Sequence, residues 1–312
     1  MTWLTAVMLL MAAILIIVLA TQRTDARRLK ITHLRLFIPH LPEALHGMRA
    51  AFLSDLHASR TYVSQEHLLA TVSEARPDLL LLGGDYAYGG QYHAETLELI
   101  QRLSAGLPAF GVRGNTDVRQ QIDTEALGGI LRAGGGALLM NEAARYAVNG
   151  STVEILGIDD PLENDHAPAR TLAQSDPEAD LRVGLAHSPG LWQELAEFGA
   201  HICLCGHTHG GQVRVPRMEA PVTHRAYPRM LASGLFQLKD GEEPEVRCIR
   251  DHWRVLALRG RPLEVEAGGR SLLYVSRGVG VSWLPMRVFC PPEMVLLEFV
   301  CGELKEGESE SA

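Results

Sequence analysis

The chain is short of cysteine, carries no excess of positive charge and shows a single long apolar run in its 312 residues, and each of these features narrows what it can be. Its five cysteines are an odd number, and Cys203 and Cys205 alternate inside one apolar run, as strand residues packed into a core do. That argues against a disulfide-stapled scaffold and fits a reducing compartment. Lys and Arg number 29 against 37 Asp and Glu, a net charge of -8, so the basic face with which a general nucleic-acid binder displaces counterions is missing. Small anionic substrates stay open, because bound cations can supply positive charge locally. No internal repeat is visible.

The one long apolar run is Trp3 to Ala20, 18 residues without a charge. At ~1.5 Å per helical residue it would span roughly 27 Å, about one bilayer core. Val18-Leu19-Ala20 offers small residues suited to signal cleavage, but a basic n-region is absent. Positive charges come afterwards, at Arg23, Arg27, Arg28 and Lys30, which by the positive-inside rule holds the downstream domain in the cytoplasm. Residues 1–22 are therefore read as a retained single-pass transmembrane anchor. Residues 23–47 form a juxtamembrane linker and first strand, and 48–301 the catalytic domain.

From Met48 onward short apolar runs alternate with amphipathic stretches, the pattern of an α/β domain. Strands are expected at 50–53, 79–82, 109–112, 153–158, 183–186 and 201–204, and helices at 65–75, 95–103 and 126–132. The stretch 240–269 carries mixed charges around the apolar island Trp253 to Leu258 and is expected as an inserted lobe, a solvated hairpin or a lid. Residues 302–312 form an acidic tail, expected to be disordered.

The chemistry sits where those strands end. The first is followed by Asp55-Leu56-His57 and the second by Gly83-Gly84-Asp85, whose glycines allow a tight turn that presents a carboxylate able to bridge two cations. Next come Gly114-Asn115-Thr116-Asp117, then His187, then Gly206-His207-Thr208-His209-Gly210-Gly211, a pair of histidines inside a glycine-marked turn. The donors are two aspartates, one asparagine and four histidines, without a thiolate. This is enough for two metal ions, and it suits manganese, iron or zinc better than calcium or a thiolate-bound structural zinc.

The ordered set Asp55-x-His57, Gly84-Asp85, Gly114-Asn115-x-Asp117, His187 and Gly206-His207-x-His209 resembles the calcineurin-like metallophosphoesterases over residues 48 to 215. The resemblance implies two mixed β-sheets in a sandwich flanked by helices, here preceded by the transmembrane helix. It implies that Asp55, His57 and His209 hold one divalent metal ion, that Asn115, His187 and His207 hold the other, with manganese placed ahead of iron or zinc, and that Asp85 bridges them. Hydrolysis of a phosphoester by a dinuclear metal-bound hydroxide follows, with Asp55, Asp85, Asn115 and His207 as catalytic residues. Val275 to Gly280, Leu284 to Arg287 and Pro291-Pro292-Glu293 look like the end of a membrane-associated bacterial subgroup. That likeness places the protein at the inner membrane and includes phosphodiesterases and a pyrophosphatase acting on UDP-2,3-diacylglucosamine in lipid A synthesis.

Arg277 and Arg287 are candidate phosphate contacts, since guanidinium groups bind phosphate oxygens bidentately, with an ordinary surface or structural role as the alternative for each. The family usually has histidine where this chain has Thr116, and a threonine hydroxyl cannot protonate a poor leaving group. That tilts the expectation to cleavage of a lipid-linked pyrophosphate, with His93 or His224 as alternative proton donors. A broader membrane phosphodiesterase, a catalytically impaired metal-binding scaffold and a membrane adaptor using the 240–269 lobe are the rival readings. None of them requires nucleic acid.

Overall fold

The computed structural model describes residues 3–161, 167–223, 228–239, 245–267 and 270–304, apart from the side chains of 17, 18 and 21–25. Two seven-stranded sheets stack face to face. The first runs β12 (Leu263–Glu266), β1 (Lys30–Ile38), β14 (Glu293–Cys301), β2 (Arg49–Leu53), β3 (Leu79–Leu82), β4 (Ala109–Gly111), β5 (Ala137–Leu138). The second runs β11 (Glu245–Asp251), β10 (Gly234–Lys239), β13 (Leu272–Val275), β9 (Ile202–Cys205), β8 (Leu181–Ala186), β7 (Ser151–Ile158), β6 (Glu142–Val148). Both are mixed: β14 lies antiparallel to β2 while β2, β3 and β4 are parallel, and β7, β8, β9 and β13 are parallel while β6 is antiparallel to β7 and β10 is antiparallel to both β13 and β11.

The central strands are apolar on both faces because both faces are covered. In β3, Leu79 and Leu81 point between the sheets, where they meet Val153, Ile155, Val183, Ile202 and Leu204. Leu80 and Leu82 point outward, under α2 (Gln65–Ala75), α3 (His93–Leu103) and α5 (Thr124–Ala133), which cover the face with Leu68, Val72, Leu99, Ile100, Leu127 and Leu131. The second sheet is covered by α7 (Trp192–Glu197), and Cys203 and Cys205 are packed beneath it as free, fully buried thiols. Shorter helices are α4 (Asn115–Arg119), α6 (Pro168–Gln174) and α8 (His252–Ala257). The expected two-sheet sandwich is thus present.

Two expectations are modified. The stretch 240–269, where described, does not project as a lobe: β11 pairs with β10 at the edge of one sheet and β12 with β1 at the edge of the other. Its mixed charge is that of half-exposed edge strands, which carry polar residues on their open face. At the amino end, α1 (Trp3–Asp25) is a helix whose large side chains Trp3, Leu4, Met8, Leu9, Leu10, Met11 and Leu15 are exposed. Among the described residues, however, no helix is long and apolar enough to cross a membrane. The tail from residue 305 lies outside the described residues.

Candidate metal centre

The strands β2, β3, β8 and β9 are parallel within their sheets, so their carboxyl ends deliver the motif loops to one end of the sandwich. The loops are stitched together by backbone bonds: Asp55 N–H donates to Gly84 O (2.9 Å), His57 N–H to Asp85 O (3.0 Å) and Gly206 N–H to His187 O (3.0 Å). Asp55, His57, Asp85, His207 and His209 all adopt left-handed φ, between 38° and 68°. Such conformations cost free energy in non-glycine residues and persist where surrounding contacts impose them. Gly206 makes the closest approach, since a Cβ there would collide with Ser54 Oγ and Asp55 Oδ2.

Two donor groups result. Asp55, His57 and His209 offer ligand atoms lying within 4.8 Å of one another, and so do Asp55, Asp85 and His187. His57 Nε2 and His187 Nε2 each lie 3.5 Å from Asp85 Oδ2, His209 Nε2 lies 3.4 Å from Asp55 Oδ1, and His207 Nδ1 lies 3.1 Å from His187 Nε2. Asn115 opens α4 beside them. All seven residues expected as ligands are therefore brought to one place, astride the two sheets.

Hydrogen bonds behind the donors set their orientation. His187 Nδ1 meets Gly83 O at 2.7 Å and His209 Nδ1 meets Gly280 O at 3.3 Å. A carbonyl can only accept, so His187 Nδ1 carries the proton whenever that ring is neutral and its Nε2 lone pair faces the centre, whereas His209 Nδ1 also faces the Arg287 guanidinium at 3.4 Å. Asp55 accepts from Ser54 Oγ (2.7 Å) and from His207 N–H (3.0 Å to each oxygen). Asp117 accepts from the N–H groups of Asp85 (2.7 Å), Gly114 (2.9 Å) and Tyr86 (2.8 Å), which ties the second loop to the third. Burial, then the neighbouring Asp85 charge, push the Asp117 carboxyl up to about 7.

The centre is a strongly coupled charge cluster. Burial pushes Asp55 above the usual carboxylate range and pushes His57 and His209 below the usual imidazole range. Burial works in the same sense on His187, but the Asp85 carboxylate outweighs it and raises that imidazole well above its ordinary value; Asp85 itself is lowered, chiefly by His187. The residues fit a pair of divalent cations on three observations. His209 Nε2 and Asp55 Oδ1 lie 3.4 Å apart, Asn115 Oδ1 is buried without a hydrogen-bond partner, and the donors mix oxygen with imidazole nitrogen.

Thr116 is a departure with a visible consequence. Its hydroxyl donates to Asp85 Oδ2 and its N–H to Asp85 Oδ1, both at 2.8 Å, so it clamps the carboxylate expected to bridge the cations. The sequence reading missed this, as it missed Ser54 and the backbone role of Asp117. The serine before Asp55 and the Asp117 carboxylate are visible in the motifs, but Ser54 also reaches Gly83 O, and Asp117 the N–H groups of Asp85 and Tyr86, all in the loop after another strand.

The structure does not bring Arg277 or Arg287 to a substrate. Both are buried to 1% exposure or less. Arg277 pairs with Glu293 at 2.7 Å, and Arg287 donates to the carbonyls of Gly280, Arg277, Gly278, His209 and Cys290. Both are buried in the segment between β13 and β14, where Arg287 packs behind His209. Of the alternative proton donors, His93 opens α3, away from the cavity lining, and His224 lies outside the described residues.

Above the donors opens a cavity of about 810 Å³. Its floor includes Asp85, Asn115, Thr116, His207 and His209, with Tyr88, Arg119 and Gln120 on one wall, and Val213, Val222, Trp283, Leu284 and Met286 on the other. A two-sheet sandwich with clustered carboxylates and imidazoles at its strand tips defines a metal-dependent phosphoesterase. The chain belongs to the calcineurin-like phosphoesterase family, whose model matches residues 48–211.

Within that family the chain is 36% identical over 212 residues to the uncharacterized protein YpbG of Bacillus subtilis, covering 64% of this chain and 78% of the relative. It is 29% identical to the phosphodiesterase YaeI of Escherichia coli, with 80% and 81% covered. It is 23% identical to the UDP-2,3-diacylglucosamine pyrophosphatase LpxG of Chlamydia trachomatis, with 86% and 88% covered.

Proposed function

We propose that this phosphoesterase cleaves the pyrophosphate bond of a membrane-borne substrate such as UDP-2,3-diacylglucosamine, giving UMP and a lipid monophosphate. The observation that carries this reading is the position of Thr116. Its hydroxyl is engaged with Asp85, and an aliphatic hydroxyl is too weak an acid to protonate a departing alkoxide. A phosphate monoester leaves as a stable anion and needs no such proton, so a pyrophosphate suits this site better than an alkyl phosphodiester. The apolar wall formed by Val222, Trp283, Leu284 and Met286 is compatible with an acylated substrate.

Asp55, His57 and His209, and Asn115, His187 and His207 with Asp85 between them, are proposed to hold two divalent cations, manganese foremost. When bound, these supply Lewis-acid polarisation of the phosphoryl oxygens and a nucleophile at neutral pH. The chain's own residues hold the geometry: Gly83 and Gly280 carbonyls fix the imidazoles, Thr116 and Asp117 fix Asp85 and its loop, and the His207 N–H fixes Asp55. Arg119, on the cavity wall, is placed to meet an anionic group. The exposed apolar face of α1 supports a retained anchor in the inner membrane, and the basic residues after it support a cytoplasmic domain. A reporter fused to the C-terminus tests that topology, and periplasmic activity would overturn it.

The test of function is UMP release from UDP-2,3-diacylglucosamine by the detergent-solubilised protein with added manganese. Release abolished by chelation and by His207→Ala is expected. Failure to release UMP alongside hydrolysis of bis-p-nitrophenyl phosphate would favour the second reading, a membrane phosphodiesterase, for which the likeness to YaeI speaks.

A further inference from the structure

The rim of the cavity is unusual for a surface in water. Trp283 is 80% exposed, Val222 73% and Leu284 38%, and all three line the opening. The loop that carries Val222 also exposes Met218 and Val215. Contiguous exposed apolar side chains around a cleft mark a surface that is covered in use.

The direction of β1 indicates what covers it. Because β14 is antiparallel to β2, the start of β14 lies at the end of β2, where Asp55 sits, and β1 runs parallel to β14 with Lys30 opposite Glu293. Lys30 N–H donates to Pro292 O, Glu293 N–H to Gly278 O, and Val279 N–H to Ser54 O, so the entry of β1 is joined to the metal loops by a short chain of backbone bonds. β1 and β2 are separated by β14 alone, which at ~4.8 Å per strand step is roughly 10 Å. Ala26 and Leu29, in the linker after α1, are buried, and Leu29 packs in one cluster with Leu56 and Val279. The apolar helix therefore leaves the sandwich at the same end as the cavity mouth. In a chain of net charge -8, the exposed residues there include Arg27 and Arg28 beside the helix and Arg119 at the mouth, the sign that anionic lipid headgroups attract.

We propose that the mouth of the metal cavity rests on an anionic phospholipid bilayer, with Trp283, Leu284 and Val222 seated among the headgroups, so that substrate enters from the membrane plane. This deepens the function proposed above and rests on the reading of α1 as a retained anchor.

The full chain reconstituted into vesicles of phosphatidylethanolamine and phosphatidylglycerol tests it, with tryptophan emission compared between ordinary lipids and lipids brominated high on the acyl chain. Trp3→Phe isolates the signal of the helix and Trp283→Phe that of the rim. The expected result is resistance to alkaline carbonate extraction, with quenching that falls measurably in each variant. Retention and quenching of Trp3 with no difference between native protein and Trp283→Phe overturns the proposal and leaves the anchor standing. Release by carbonate overturns both. Shielding of Trp283 from acrylamide without quenching by brominated lipid identifies a protein cover instead, and also overturns it.

Discussion

Replacing Thr116 by valine removes one hydroxyl and keeps the shape of the side chain, so its effect isolates a single bond. That bond runs 2.8 Å from Oγ1 to Asp85 Oδ2, at a site 8% exposed. A hydrogen bond to a charged group contributes about 1.5–3 kcal/mol, and valine leaves that oxygen without its donor. Oδ2 keeps His57 Nε2 and His187 Nε2 at 3.5 Å, and Oδ1 keeps the Thr116 N–H. These remaining partners place the expected loss near the middle of the range, about 2 kcal/mol. Equilibrium urea unfolding of the full chain in detergent with chelator should show a lower midpoint for Thr116→Val with an unchanged slope, and Thr116→Ser should recover most of the loss. A Thr116→Val protein as stable as the native one would refute the clamp, and with it the explanation of why threonine occupies this place. In manganese titrations the same variant should bind about tenfold or more weakly, the change seen when a group orienting a ligand is lost.

Four further outcomes are expected. Gly206→Ala forces a methyl group into Ser54 and Asp55; overpacking costs about 1–3 kcal/mol or more, and calorimetry should show a lower midpoint together with weakened metal binding. Arg287→Lys should destabilise by about 3–5 kcal/mol, as breaking a buried charged network does, with KM unchanged in whatever enzyme remains folded; a raised KM at native stability would instead mean that Arg287 meets substrate. Thr116→His, which supplies a proton donor on the cavity floor, should raise kcat/KM for alkyl phosphodiesters relative to aryl ones, and an unchanged ratio would refute the leaving-group argument. The last concerns His252, whose imidazole is held at about 2 by burial, then by Arg277 and Arg214. Below the ordinary imidazole range the unfolded chain binds a proton that the folded chain excludes, so stability is present at neutral pH and lost as pH falls, by about 1 kcal/mol per unit below roughly pH 6. His252→Gln should flatten that part of the urea-unfolding profile, and an equal slope in both proteins would show that another group is responsible.

The amino-acid sequence by itself determined the α/β layering and the identity of the donor set. Leu79 to Leu82 reads as a strand buried on both faces and is one, and the helix expected at 65–75 is found there, because local periodicity and a Ser64 cap suffice to specify such elements. The five motif blocks were legible because each places its donors within a few residues of a strand end. The edge strands β11 and β12 were not legible. They are half exposed and charged, and only pairing with partners far away in the chain distinguishes them from a solvated hairpin. The choice between a phosphate contact and a structural role for Arg277 and Arg287 was not legible for the same reason, since a guanidinium beside a motif reads either way until its carbonyl partners are seen. The clamp of Thr116 on Asp85, the Asp85 and Tyr86 N–H groups gathered by Asp117 and the meeting of the 213–222 and 282–286 loops at one rim join residues about 30 to 70 apart. Such contacts leave no periodic trace in the chain, because they are set by strand order and direction, and these were decided only when the two sheets packed.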